Sequence, residues 1–189
     1  MHESRWTHEP GENRFKTWCE SVGRGVRLKS VTAALLDPRT ADLYRQLSQV
    51  DGVIISHDAA ALLVSIHSLH PGQRGAPAPS VDFVDQWGAI SPRADHSINI
   101  NESRFAQWAS SCSWNELHEN TLVGIKSLYA YDRALDIVSL YRWVHFRERA
   151  PESFTIEAFS WFSRSQQNAV PRGKYPQRFI DHESPRSMG

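Results

Sequence analysis

The reading turns on one stretch, Val53-Ile54-Ile55-Ser56-His57-Asp58-Ala59-Ala60-Ala61-Leu62, continuing through Ile66 and Leu69 to His70. Val53 to Ile55 is an apolar run too short to type by itself. Asp58 can then cap a helix, because its carboxylate accepts from N–H groups that have no partner inside the first turn, and Leu62, Ile66 and Leu69 recur at the spacing of one helical stripe. His57 would sit just before that helix start. Upstream, Asp37-Pro38 reads as an N-cap followed by proline in the first turn, and Leu43, Leu47 and Val50 share a face until Asp51-Gly52 stops the helix.

Downstream, Pro71 to Pro79 combines prolines and glycines into a loop, an insertion at about 71–80. Asn101 can cap a short helix carrying Phe105 and Trp108. A long helical region follows with Leu122, Ile125, Tyr129, Leu135, Val138 and Tyr141, and Pro151 ends it. A further helix opens near Ser153 and places Ile156, Phe159 and Phe162 on one side. The expected fold is all-α, a single-domain helical bundle over 14–189 preceded by a flexible tail over 1–13, with no internal repeat.

Composition narrows the classes. The 189 residues are 40% hydrophobic, enough for one core, and 21 basic residues balance 21 acidic ones. A neutral chain has no global field to recruit nucleic acid or an anionic membrane, so neither is an expected partner. Cys19 and Cys112 form neither a disulfide framework nor a CxxC zinc pair, and no metal site is read. The polar N-terminus and the lack of a long apolar run read as a soluble, cytoplasmic chain.

Three fragments in this order form a signature: Ser56 to Leu62; Asp95-His96-Ser97-Ile98-Asn99 running on to Trp108; and Val170-Pro171-Arg172 through His182-Glu183-Ser184-Pro185 to Met188-Gly189. Together they resemble the heme-thiolate peroxidases, the chloroperoxidase-like and peroxygenase-like proteins common in fungi. Their Glu-His-Asp-Ala-Ser-Leu motif is similar to Ser56–Leu62, their Asp-Asn-His-x-Phe-Asn segment to Asp95–Asn99, and their Val-Pro-Arg element and closing Glu-Arg-Leu-Pro-x-x-x-Gly to the C-terminal stretch. The resemblance implies helices around a heme and peroxide-driven oxidation of a hydrophobic small molecule, as in fungal secondary metabolism.

That chemistry needs an axial thiolate, whose electron density favours O–O cleavage. Cys19 is the candidate, followed by Val22-Gly23-Arg24-Gly25, although the flanking prolines of the family's Pro-Cys-Pro loop are absent. It also needs a carboxylate to move the peroxide proton. Phe154-Thr155-Ile156-Glu157-Ala158 resembles the family's Phe-x-x-Gly-Glu-x-Ala, which makes Glu157 the acid/base candidate, with Trp161, Ile156 and Phe159 expected to desolvate it. His57 matches the histidine that supports the glutamate, and Asp58 would hold His57 or cap its helix. Ser56 and Ala60 replace the glutamate and serine of the family's magnesium site, so magnesium is not expected.

Each residue also has a plainer reading. Cys19 can be a small buried hydrophobe, His57 a capping histidine, and Glu157 the polar side of an amphipathic helix. His67 and His70 are spaced like a metal pair but lack a third ligand. His57-Asp58 lacks the upstream histidine of a His-Asp phosphohydrolase. Two alternatives to peroxide chemistry stay open: a heme-free acid/base catalyst (cyclase, dehydratase or isomerase) using Glu157 and His57, and a catalytically silent binding module.

Overall fold

The computed structural model describes residues 9–23, 25–70, 82–90, 100–131 and 133–169, and every regular element among them is an α-helix. In chain order these are α1 (Glu12–Ser21), α2 (Val31–Leu35), α3 (Pro38–Ser48), α4 (His57–Leu69), α5 (Phe83–Ala89), α6 (Ile100–Ala109), α7 (Trp114–Ala130), α8 (Ile137–Arg149) and α9 (Pro151–Asn168). The described chain is all-helical, and none of its helices is long and apolar enough to cross a membrane. The loop expected at 71–80, Asp95–Asn99 and Val170–Gly189 lie outside the described residues.

Helix α4 is the hub, packed against α2, α3, α7 and α8. Every residue from Ala59 to Ser68 is buried, so the Leu62–Ile66 stripe is part of an apolar surface that runs all round. Its polar side chains fasten the connection that enters α2. The Ser65 hydroxyl donates to the Leu28 carbonyl at 2.8 Å, and Ser68 Oγ accepts from the Leu28 N–H at 2.9 Å. With its proton so engaged, Ser65 Oγ accepts from His118 Nε2 of α7 at 2.7 Å.

Four expectations shift. The cap of α4 is Ser56, whose extended backbone lets Oγ accept from Ala59 N–H at 3.1 Å, while Asp58 stands two positions later, inside the first turn. His57 is accordingly the first helical residue. The long region after Trp108 is two helices, because Asp136 accepts from the N–H groups of Val138 and Ser139 and starts α8 afresh. Asn101 is the second residue of α6 rather than its cap; Pro151 does follow the end of α8, as expected, and itself opens α9 in the first-turn position where its missing N–H costs nothing. Finally, Glu12 and Asn13, read as tail, begin α1; Pro10 before them accepts the Tyr141 hydroxyl at 2.6 Å.

Helix α9 buries Phe154, Ala158, Phe162 and Gln166 at four-residue spacing, which turns Ile156 outward at 72% exposure instead of toward the core. The stripe meets α5 where Gly88 lies so close that a β-carbon there would stand 2.6 Å from Ser165 Cβ and 2.8 Å from the Phe162 carbonyl. Around this contact Phe83, Trp87, Phe105, Trp108 and Phe162 form one aromatic core; Phe105 and Phe162 stack at 4.0 Å. Trp108 alone joins Phe83, Phe105, Trp143 and Phe154, and its indole N–H reaches Thr121 Oγ1 at 2.9 Å.

Candidate functional site

Cys19 follows Trp18 on α1. Phe15 and Trp18 point into the core, which leaves the thiol half-buried at its edge. Burial pushes the thiol up to about 12, with the neighbouring Glu20 charge adding to the rise. These surroundings favour S–H over the anion. Beside it, the buried His67 of α4 meets the Trp18 ring edge-on at 5.4 Å; burial lowers its basicity while a hydrogen bond with the Cys19 backbone acts the other way. His70 lies on Tyr129 instead, so the two histidines do not aim at one point, and no metal-type cluster exists among the described residues.

At the other end of α4, His57 is exposed and stacks on Tyr44 of α3 with ring centres 3.9 Å apart. Asp58 beside it is exposed too. Ser56 is the residue with firm partners: its N–H donates to Glu148 Oε1 at 2.9 Å and its hydroxyl hydrogen-bonds the same oxygen. The position that in the resembled family carries a carboxylate is here a cap serving a carboxylate from α8.

Glu157 lies in the second turn of α9, half-buried beside the core stripe. Of the apolar neighbours expected to desolvate it, Ile156 faces outward, Phe159 is drawn to Phe105 at 5.6 Å, and Trp161 packs on Trp143 at 6.0 Å. Among the described residues no hydrogen bond or ring contact links Glu157 to His57 or Cys19.

A helix stands between the two essential groups. On one face of α8, Tyr141 stacks on Phe15 of α1 at 5.0 Å; on the opposite face Trp143 packs against Phe154 and Trp161 of α9. Cys19 and Glu157 therefore ride on helices that flank α8, and aromatic side chains fill both interfaces. A heme plate needs a thiolate and a distal acid across one open chamber. Cys19, protonated and backed by packed rings, does not fit that requirement. The chain matches no known protein family, no curated protein and no solved structure.

Two clusters went unread in the sequence. Asp82 caps α5, accepting from Val84 N–H at 2.8 Å and from the Trp143 indole at 3.0 Å to each oxygen; burial foremost, with the Asp85 charge, pushes it up to about 6. Asp85, hydrogen-bonded to Ser165, is raised as well. The second cluster gathers Glu9, Glu12, Tyr141, Arg142, His145 and Arg149 around the entry to α1. An Asp three residues before another acid signals a cap, but neither the indole nor the depth of burial is visible locally. The second cluster joins residues 130 to 140 positions apart, and no spacing announces it.

Proposed function

We propose that this chain is a heme-free helical binding module rather than a peroxide-driven oxidoreductase. The observation that carries the reading is the insertion of α8 between the helices of Cys19 and Glu157, with Tyr141 against one and Trp143 against the other. Peroxide cleavage needs ligand and acid on the two faces of a single cofactor. The described interior is given to ring–ring packing, which supports a scaffold that works through its surface. Hemin titration tests this. The expected result is no stoichiometric complex whose spectrum depends on Cys19, and no peroxide-dependent oxidation above background; a thiolate-type ferrous–CO band that disappears in Cys19→Ser would overturn it.

A second reading is favoured by Asp82. An acid pushed up to about 6 in aromatic surroundings suits proton transfer near neutral pH, so heme-free acid/base chemistry on a hydrophobic molecule would be carried by Asp82 rather than by Glu157 with His57. Turnover with an inflection near pH 6, lost in Asp82→Asn and kept in Glu157→Gln, would select it over the binding reading.

A further inference from the structure

His145 is completely buried, yet both ring nitrogens are engaged by segments far away in the chain. Nδ1 lies 2.8 Å from Glu9 Oε2, and Nε2 accepts the backbone N–H of Ile54 at 3.3 Å. An N–H donor at Nε2 requires a lone pair there, so the ring is the neutral Nδ1–H tautomer, donating to Glu9. Two connections are thus held by one imidazole: the arm that leads into α1, and the linker 53–56 that leads into α4.

We propose that His145 is a proton-operated latch that exchanges its hold on the linker for a stronger hold on the arm. A proton taken up at Nε2 uses the lone pair that Ile54 needs, leaving two donors face to face. Ile54 is exposed, so water can take the place of the ring as the partner of its N–H. At Nδ1 the same proton converts a neutral hydrogen bond to Glu9 into a charge-assisted one. The surrounding charges permit it. The arm and α1 contribute Glu9 and Glu12; α8 contributes Arg142, Glu148 and Arg149; the first turn of α4 contributes His57 and Asp58. Arg147 of α8 balances these charges overall, but the group in direct polar contact with Nδ1 is the Glu9 carboxylate, which an imidazolium would face, while Tyr141 stacks on the ring at 5.8 Å. The acids of α5, Asp82 and Asp85, lie toward the opposite, Trp143 face of α8, where α9 also packs. What the latch frees is the entry to α4, where Ser56 leans on Glu148 and His57 lies on Tyr44. The inference is independent of the binding reading.

Amide exchange and imidazole ¹⁵N shifts, followed by NMR on the whole chain across the range where histidines titrate, test it. As His145 gains its proton, the protection of the Ile54 amide, corrected for intrinsic exchange, should fall about fivefold or more, the loss of one ordinary hydrogen bond. The Tyr141–Pro10 end should keep its chemical shifts. In His145→Gln, whose amide does not titrate, Ile54 protection should be independent of pH. The proposal fails if Ile54 stays protected once the His145 ring is protonated, if the ring stays neutral down to pH about 5, or if the glutamine variant shows the same pH dependence. The wild-type measurement decides alone should that variant not fold.

Discussion

On one side of α8 the carboxylates of Glu9 and Glu12 meet Arg149, His145 and Arg142; on the other the carboxylate of Asp82 accepts from the Trp143 indole and from backbone N–H groups and, among the described residues, makes no ion pair. Both sides lose water. Where guanidinium groups replace that water the contact is an ion pair: Arg142 binds Glu12 through two bonds, 2.6 and 2.9 Å, and is held above its ordinary basicity chiefly by that contact. Where only dipoles replace it, burial wins and Asp82 rises to about 6. The comparison teaches that N–H donors alone do not offset what the loss of water does to Asp82.

Four changes break or sharpen this contrast. Trp108→Ala removes the ring that ties α5, α6, α8 and α9 together and should cost about 3–5 kcal/mol in denaturant unfolding, an effect that no salt concentration restores. Asp82→Asn comes next. Because Asp82 is a weaker acid folded than unfolded, its contribution to stability is complete below about pH 4 and lost as pH rises through about 6. The variant should thus gain on wild type between pH 4 and 8, by at most about 3 kcal/mol; melts in which both proteins keep a constant offset would refute the assignment.

Arg142→Ala leaves the largely buried Glu12 carboxylate unpaired and should cost about 2 kcal/mol, with Glu12→Gln recovering part of it in a double-mutant cycle. A null coupling would place the arm's stability elsewhere. Ser56→Ala removes the α4 cap and the hydroxyl bond to Glu148 together, while the backbone N–H of residue 56 still donates to Glu148, and should cost about 1 kcal/mol, read from the urea midpoint.

Much of the local structure was legible. Asp37-Pro38 does cap and open α3, with Asp37 accepting from Arg39 N–H at 2.9 Å, and Leu43 and Leu47 are both buried. Short-range rules suffice there because cap, proline and stripe lie within eleven residues. They failed at α4, where two capping residues stand two apart and only the backbone turn decides between Ser56 and Asp58. They failed again at α9, since Ile156, Phe159 and Phe162 share spacing with a helix face but the glycine notch at Gly88 selects Phe154, Ala158 and Phe162. For the candidate site, residue type suggested roles for Cys19, His57, Asp58 and Glu157, and position withheld the arrangement those roles require.

What the sequence determined by itself is helix content and most helix starts, because caps, prolines and apolar periods act over a single turn. Only the tertiary structure decided that α8 separates Cys19 from Glu157, that Glu9 reaches His145, and that Asp82 sits half-buried against Trp143. The physical reason is that desolvation and ion pairing depend on which surfaces meet, and that meeting is set by the packing of whole helices rather than by any local pattern.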